Sequence, residues 1–237
     1  MTGPSETTAV LCSAGLDSVV LVAHEARAGG VQPVYVAVGL AWEAAELALL
    51  DRLERAWGPG GRVLPPVVLQ MTMRDVYPAS HWAIRGTPPA YDTPDEDVYL
   101  AGRNVILLSK AAVYCAGVGI HRLAIGPLAG NPFPDATPEF FREMSKALSI
   151  GLDHRIDVVA PFAALDKADV VRLGAELGVP LELSLSCMNP RGDLHCGLCS
   201  KCRERRDAFD EAGVPDPTRY AEPSPRGTAG SPPGSRE

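Results

Sequence analysis

The segment from Cys12 to Ser18 has the composition of an anion-binding turn. It reads Cys-Ser-Ala-Gly-Leu-Asp-Ser and lies between a continuous apolar run and a second run whose apolar residues have helical spacing. A strand, a turn of small residues and a helix N-terminus bring unpaired backbone N–H groups together, and the helix dipole adds positive potential there. This arrangement predicts a phosphate-binding loop. The alternative is an ordinary helix cap, because Asp17 and Ser18 are residue types that favour helix N-termini.

Four cysteines towards the C-terminal end have the spacing of a metal site. Cys187, Cys196, Cys199 and Cys202 follow the pattern C-x8-C-x2-C-x2-C. Four thiolates fill the tetrahedral coordination that zinc prefers and leave no open position, which is typical of a structural site. An iron–sulfur cluster is the alternative, since the same short spacings occur there. His195 is a less favoured ligand because it adjoins Cys196, and we expect it beside the ligands or at the surface.

Composition excludes several classes of protein. The 237 residues are 46% hydrophobic and 22% charged, as in ordinary globular proteins, and the six cysteines do not resemble a secreted disulfide framework. The formal net charge of −7 argues against nucleic-acid binding through a basic surface. No apolar run approaches the roughly 20 residues that span a bilayer, and no signal peptide is recognisable. We therefore predict a cytoplasmic protein without a membrane partner.

The hydrophobic pattern predicts the elements that position these residues. Predicted strands cover Ala9–Cys12, Pro33–Val38, Pro66–Leu69, Arg122–Gly126 and Asp157–Ala160. Predicted helices cover Asp17–Ala28, Trp42–Trp57, Val105–Ala116, Pro138–Leu152 and Val170–Leu177. Alternation of strands and helices predicts an α/β fold with a doubly wound parallel sheet. Ligands of such sheets bind at the carboxyl ends of the strands, where the Cys12–Ser18 turn lies.

One domain is predicted over residues 8–212, with a small cysteine knuckle at residues 186–205 inside it. Residues 71–98 are irregular and rich in proline, and they are interpreted either as a solvated loop or as a lid over the substrate. Residues 213–237 contain almost no large apolar side chain, so we predict that this tail is disordered.

The turn at residues 13–18 resembles the pyrophosphate loop, S-G-G-x-D-S, of the ATP-pyrophosphatase enzymes. Ala14 stands where that loop usually has glycine, and alanine is expected to exclude a positive φ there. Together with the C-terminal cysteines, the loop resembles the 7-cyano-7-deazaguanine synthase family of the queuosine pathway. This resemblance implies an adenine nucleotide alpha hydrolase-like, Rossmann-type fold.

Further stretches match motifs of that family over most of residues 8–212. They are Tyr99–Asn104 with Leu107–Ser109, Pro134-Asp135 with Pro138–Phe140, Ser186-Cys187, and His195–Arg205. In addition, Lys167 stands where the family has a lysine after a Pro-x-x-x-L stretch.

The resemblance implies an ATP-dependent C–N ligase. ATP would adenylate the carboxylate of 7-carboxy-7-deazaguanine and release pyrophosphate, and ammonia would convert the adenylate to an amide. A second activation and loss of AMP would give the nitrile. The implied cofactors are ATP, Mg²⁺ and Zn²⁺. The implied partners are small molecules, the deazapurine carboxylate and ammonia; nucleic acid is not expected, and a homodimer is compatible with the resemblance.

The resemblance also implies roles for individual residues. Implied catalytic residues are Ser13, Asp17, Ser18 and Lys167. Nucleotide binding is implied for Cys12, Ser13, Ala14, Gly15, Leu16, Asp17 and Ser18. Contact with the acceptor is implied for Arg103, Asn104 and Asp135. The Asp135 carboxylate could accept paired N–H bonds from a guanine-like face, or it could cap the helix that begins near Pro138.

Differences from the family pattern lie on the substrate side. Ala129–Pro132 replaces D-Y-S-G, Phe133 replaces tyrosine, and Met188–Pro190 replaces a segment that contains tyrosine. One alternative is therefore a related enzyme that amidates, conjugates or thiolates another acceptor, including tRNA. Thiolation needs a cysteine that carries sulfur, whereas Cys12 and Cys115 are expected to be core residues. A non-catalytic, zinc-stabilised nucleotide-binding module is the third hypothesis.

Overall fold

The sheet contains five parallel strands. In this computed structural model, which describes residues 7–225, the strands are β1 (Thr8–Leu11), β2 (Val31–Ala37), β3 (Val67–Gln70), β4 (Arg122–Ala124) and β5 (Asp157–Val159). Their order across the sheet is β3-β2-β1-β4-β5, and every pairing is parallel. The chain winds outward from β1 on one side and then returns to add β4 on the other. The crevice between β1 and β4 is thus the topological switch point, where such sheets bind ligands.

Seven helices accompany the strands in the described range. They are α1 (Leu16–Glu25), α2 (Glu43–Trp57), α3 (Trp82–Arg85), α4 (Arg103–Val118), α5 (Pro138–Leu152), α6 (Lys167–Glu176) and α7 (Ser200–Ala212). The predicted doubly wound α/β fold is confirmed, and each predicted strand and helix is present within a few residues of its expected bounds. The short helix α3 and the longer helix α7 were not anticipated. None of the helices within residues 7–225 is long and apolar enough to cross a membrane.

Helices cover both faces of the sheet, which explains why its strands have continuous apolar sequences. Ala9 and Val10 are both fully buried, but they belong to different core clusters because successive side chains of a strand point to opposite faces. The cluster that contains Ala9 includes residues of α4 and α5, and the cluster that contains Val10 includes residues of α1 and α6. Strand β1 therefore lies in the centre of an α/β/α sandwich.

The segment 71–98 is packed rather than freely solvated. Apart from α3 and a short 3-10 turn at Asp95–Val98 it has no regular helix or strand, as predicted. Its Trp82 stacks on Trp42 with ring centroids 5.7 Å apart, and Tyr77 is buried. At its other end Ala90 forms an isolated bridge with Cys199. The segment consequently connects the mouth of the sheet to the cysteine knuckle.

Residues 213–225 are also ordered, which differs from the disorder predicted from their composition. Thr218 accepts a hydrogen bond from the Nε of Arg205, and the Tyr220 ring lies 3.8 Å beneath the guanidinium of Arg206. His195 pairs with Tyr220 through a parallel bridge. One large aromatic side chain, Tyr220, and several polar contacts hold this segment on the knuckle, and a composition average does not detect them. The rest of the predicted tail lies outside the described residues.

Candidate active site and cysteine cluster

The loop between β1 and α1 has the geometry of an anion site. Gly15 is the N-cap residue of α1 in extended conformation, and no side chain caps the helix. Ser13 Oγ accepts a hydrogen bond from Gly15 N at 3.4 Å, and Ser18 Oγ donates to Gly15 O at 2.9 Å. Asp17 and Ser18 lie inside the first turn, so the alternative that they are cap residues is wrong. The first N–H groups of the helix, which have no partner within it, thus face the end of β1.

Ala14 adopts a left-handed backbone conformation with φ of +56°, and the expectation that alanine excludes a positive φ is therefore wrong. This conformation costs about 1–2 kcal/mol for a residue with a Cβ. The cost is offset by burial of Ala14 and by a hydrogen bond in which Leu185 N donates to Ala14 O at 2.8 Å. Leu185 lies two residues before Cys187, so the cysteine segment supports the backbone of the loop.

Asp17 and Lys167, both predicted catalytic residues, are joined directly. Lys167 Nζ lies 2.7 Å from Asp17 Oδ2 and 2.9 Å from Glu204 Oε1, and Glu204 also accepts a bond from Lys201. Burial opposes the ammonium charge of Lys167, but the carboxylates of Asp17 and Glu204 hold its pKa above the ordinary value. Burial likewise opposes the charge of Glu204, yet Lys167 and Lys201 lower its pKa to about 2. The charges of Lys167 and Glu204 therefore persist at neutral pH.

This ion-pair chain lines a cavity of about 290 Å³, here named the lysine cavity. Lys167, Lys201 and Glu204 form one wall, and residues 126–133 form the other. Asp17 Oδ1 is buried without a hydrogen-bond partner in the described structure. A buried carboxylate oxygen without a partner is costly and is suited to a cation or a donor from a ligand. The sequence analysis did not select Glu204 as a site residue. It could have been found because it lies in the segment His195–Arg205, which matches a family motif.

A second cavity of about 260 Å³, here named the central cavity, lies at the carboxyl ends of β1, β2 and β4. Arg103, Asn104 and Asp135, the predicted acceptor residues, line it together. Asp17 lines both cavities, so the pyrophosphate loop lies between them. The structure thus brings the predicted nucleotide residues and the predicted acceptor residues to one place.

Asp135 is bonded to the N-terminus of α4. Its Oδ2 accepts a hydrogen bond from Asn104 N at 3.0 Å, and Asn104 Nδ2 donates to the Asp135 carbonyl at 2.9 Å. The N-cap of α5 is Thr137, whose hydroxyl accepts from Phe140 N at 3.1 Å. The alternative that Asp135 caps α5 is therefore wrong: it stabilises the start of the helix that carries Arg103.

Sequence reasoning also missed three polar residues of the central cavity. Glu43 Oε1 accepts hydrogen bonds from the backbone N–H groups of Val38 and Gly39, and Tyr35 donates its hydroxyl proton to Glu46 Oε2 at 2.7 Å. Burial is the main cause that raises the pKa of Glu46 to about 7. Glu43 and Glu46 could have been found from the sequence, because two acidic residues in the first helical turn after a parallel strand lie at the end of the sheet where ligands bind.

The four predicted metal ligands lie together. The sulfur atoms of Cys187, Cys196, Cys199 and Cys202 are all within 4.8 Å of one another, and all four residues are buried. Backbone N–H groups donate to these sulfurs, among them Cys196 N to Cys187 Sγ at 3.1 Å. Hydrogen bonds from neighbouring thiols, chiefly Cys187, lower the pKa of Cys199 to about 7. Four converging thiol groups that receive N–H donors fit a tetrahedral metal ion.

Two neighbours complete the knuckle. Gly197 has φ of +84°, and a Cβ built on it would lie only 2.1 Å from the Glu222 carbonyl oxygen, so this turn requires glycine. His195 is buried rather than exposed, and its Nε2 accepts a hydrogen bond from Ser186 N at 3.0 Å. Burial lowers the pKa of His195 to about 3, so the ring stays neutral. His195 therefore supports the knuckle and is not one of its four ligands.

Comparison with known sequences gives a consistent result. The family model of "Queuosine biosynthesis protein QueC" matches residues 7–213. Curated relatives named 7-cyano-7-deazaguanine synthase include one from Methanothrix thermoacetophila, 36% identical over 89% of this chain and 96% of its own length. Another, from Methanopyrus kandleri, is 35% identical over 91% of this chain and 99% of its own length. A third, from Anaeromyxobacter dehalogenans, is 35% identical over 93% of this chain and 98% of its own length.

Similarity to solved structures is weaker than similarity to these sequences. One is the U34-tRNA thiolase NcsA from Methanococcus maripaludis with its [4Fe-4S] cluster, at 11% identity and a TM-score of 0.42, covering 97% of this chain and 77% of that one.

Proposed function

This chain belongs to the family of queuosine biosynthesis protein QueC, and we propose that it makes 7-cyano-7-deazaguanine from 7-carboxy-7-deazaguanine, ammonia and ATP. The observation that carries the proposal is the position of Asp17 in both cavities. A triphosphate on the loop and an acceptor in the central cavity would meet beside it. The proposal therefore assigns the phosphates to the loop itself, where Asp17 joins the two cavities beside Lys167, and the deazapurine to the central cavity.

The first activation is a displacement at the α-phosphorus. A carboxylate oxygen of the acceptor attacks it, the bond to the bridging oxygen breaks, and pyrophosphate leaves. In this proposal the N–H groups at the start of α1 and the Ser13 hydroxyl would stabilise the charge on the departing group, and the Ser18 hydroxyl would join them by exchanging its bond to Gly15 O for one to phosphate. Lys167, which stays protonated, adds a fixed positive charge. Mg²⁺ bound to the triphosphate would neutralise further charge, and the unpartnered Oδ1 of Asp17 suits such a cation.

The nitrogen enters in the second step. Ammonia attacks the carbonyl carbon, the bond to the adenylate oxygen breaks, and AMP leaves as the amide forms and a proton is released. The amide oxygen then attacks a second ATP with loss of pyrophosphate. Loss of AMP and of the remaining N–H protons gives the nitrile. Arg103 and Asn104, at the start of α4, would hold the acceptor throughout these steps.

The four-cysteine cluster would hold Zn²⁺ in this proposal. The cluster lies beside Leu185, which supports Ala14, so metal binding would stabilise the loop rather than take part in chemistry. Transfer of sulfur, the main alternative, is disfavoured by the other two cysteines. Cys12 and Cys115 are buried, and burial raises the pKa of Cys12 to about 11. Neither is an accessible thiolate.

Mass spectrometry of the reaction products tests the proposal. Purified protein is incubated with ATP, Mg²⁺, ammonium and 7-carboxy-7-deazaguanine, and the expected products are the nitrile, AMP and pyrophosphate. An amide that accumulates without nitrile would favour an amidating enzyme. Absence of any ATP- and acceptor-dependent product would overturn the proposal. Light scattering of the same sample tests whether the protein is a homodimer, and cytoplasmic localisation stays a prediction of the sequence.

A further inference from the structure

Glu46 is the most unusual side chain of the central cavity. It lies in the first turn of α2, only 7% of its surface is exposed, and it lines the cavity beside Tyr35. The Tyr35 hydroxyl donates to Glu46 Oε2 at 2.7 Å, which fixes the orientation of the carboxyl group. No step of the reaction described above uses this residue. A buried acid in a ligand cavity requires a reason, because burial of a carboxylate is costly.

The positive charge that faces Glu46 does not pair with it. Arg103 lines the same cavity and acts on Glu46 electrostatically, but within residues 7–225 no ion pair of 4 Å or less joins the two side chains. Arg103 Nε is buried and has no hydrogen-bond partner among the residues that the structure describes. A carboxyl group and a guanidinium therefore face one space from α2 and α4, each with capacity for further hydrogen bonds. This is the arrangement expected when a ligand completes both.

We propose that Glu46 recognises the 2-amino and ring N–H edge of the deazaguanine acceptor while Arg103 receives its oxygen atoms. This inference rests on the proposed function, which supplies the acceptor. The pyrimidine edge of that acceptor presents two neighbouring N–H donors next to a carbonyl. A carboxylate takes the two donors, and a guanidinium takes the carbonyl or the 7-carboxylate.

Asp135 is less suited to this task. Its Oδ2 accepts from a backbone group, Asn104 N, and its carbonyl receives the Asn104 side chain, whereas Glu46 Oε2 accepts from a side chain, the Tyr35 hydroxyl. It is thereby committed to the N-terminus of α4, and through that turn to the position of Arg103. Glu46 has no such backbone duty, because the neighbouring N–H groups of Val38 and Gly39 are bonded by Glu43 instead. Asp135 is thus a positioning residue and Glu46 the recognition residue.

The protonation state of Glu46 gives the proposal a second readout. Burial raises its pKa to about 7; Arg103, the Tyr35 hydroxyl and Trp42 oppose the rise, while Glu43 adds to it. Cys12, the other titratable neighbour, stays a neutral thiol. Two N–H donors bind the ionised form, so acceptor binding below pH 7 releases a proton to solvent. Acceptor affinity should rise with pH through about 7 and then level off.

The rival ligand is adenine, whose N6 amino group and N1 would require a protonated Glu46. The variant Glu46→Gln separates the two ligands, since a glutamine side chain bonds adenine well but presents a donor to a donor of the deazaguanine edge. We expect Glu46→Gln to raise the KM for 7-carboxy-7-deazaguanine by roughly 10- to 100-fold and to leave the KM for ATP unchanged. Glu54→Gln, an exposed residue on the same helix, is the matched control.

An acceptor analogue completes the test. Wild-type protein should discriminate strongly against 7-carboxy-7-deazahypoxanthine, which lacks the 2-amino group, whereas Glu46→Gln should discriminate little. Calorimetric titration of both proteins with the two acids measures affinity without turnover. The titrations cover pH 5.5 to 8.5, because this range includes the Glu46 pKa of about 7. If wild-type protein turns over the acid but the variant has an unchanged KM, or a changed KM for ATP alone, the Glu46 assignment is wrong. If wild-type protein neither binds nor converts the acid, the proposed function itself fails.

Discussion

The ammonium nitrogen of Lys167 lies 2.7 Å from Oδ2 of Asp17, so the first turn of α6 is bonded directly to the first turn of α1. The two helices converge on the carboxyl end of the sheet from opposite ends of the domain sequence. The pair places a persistent cation next to the loop, and the second oxygen of Asp17 has no partner within residues 7–225. In the proposed function, the pair would therefore couple charge neutralisation at the phosphates to the orientation of the loop.

Asp17→Asn is expected to reduce pyrophosphate release by about 100-fold or more, because the loop loses the charge that orients Mg²⁺–ATP and fixes Lys167. Stability should change by less than about 1 kcal/mol, since the pair is partly exposed and Glu204 remains as a partner of Lys167. A coupled pyrophosphate assay and urea unfolding measure the two effects. Asp51→Asn, an exposed residue on α2, is the control, and normal pyrophosphate release by Asp17→Asn would refute the loop assignment.

Cys199→Ser is expected to lose bound metal and to become less soluble, because one of four thiolates is removed from the cluster that starts α7. Elemental analysis of wild-type protein should give about one zinc per chain. Cys115→Ala removes a buried cysteine outside the cluster and should retain the metal. Well-folded wild-type protein without zinc would contradict the zinc assignment, and iron with inorganic sulfide would support the cluster alternative.

The order of strands and helices was predictable because each element depends on residues that are close together in the sequence. Buried strands such as Thr8–Leu11 are almost entirely apolar, and the short spacings between the cysteines indicate that their sulfur atoms lie together. The positive φ of Ala14 was not predictable, since it is supported by Leu185, which is far away in the chain. Glu46 and Glu204 were missed for the same reason. Their sequence positions mark them only as acidic residues near the site, and their roles depend on a side chain of another element, Tyr35 for Glu46 and Lys167 for Glu204.

Ala14→Gly is expected to raise the free energy of unfolding by about 0.5–1 kcal/mol, because glycine adopts the left-handed conformation without the steric cost of a Cβ. Chemical denaturation measures the change. Ala48→Gly, at an exposed position in the second turn of α2, is the matched control and should instead destabilise by about 1 kcal/mol. A loss of stability in Ala14→Gly of the same size as in the control would show that Ala14 is not strained.

Glu204 links stability to pH. Its folded pKa, about 2, lies below the ordinary value of 4.5, because Lys167 and Lys201 outweigh burial. The stabilisation from a lowered carboxyl pKa is therefore complete above about pH 4.5 and is lost as the pH falls towards 2. Glu204→Gln should unfold at lower urea concentration than wild type at pH 7, and the gap should narrow as the pH approaches 2. A gap that stays constant over that range would mean that the carboxylate does not interact with the lysines as described.

Asp135→Asn distinguishes a positioning role from a recognition role. An asparagine oxygen can still accept the hydrogen bond from Asn104 N, so the fold and the free energy of unfolding should change little. The start of α4 loses a negative charge, however, and the position of Arg103 becomes less well defined. We expect the KM for 7-carboxy-7-deazaguanine and for its analogue without the 2-amino group to rise together, by about 10-fold.

Comparison with two other variants makes this result decisive. Thr137→Ala removes the cap of α5, and it should lower stability by about 1 kcal/mol while both KM values stay unchanged. Glu46→Gln should raise the KM for the 2-amino compound alone. If Asp135→Asn shows that same selective rise and Glu46→Gln does not, then Asp135 reads the guanine-like face itself. In that case one N–H donor of the acceptor would bind Oδ1 of Asp135 and the other would share Oδ2 with Asn104 N, because each carboxylate oxygen can accept two hydrogen bonds.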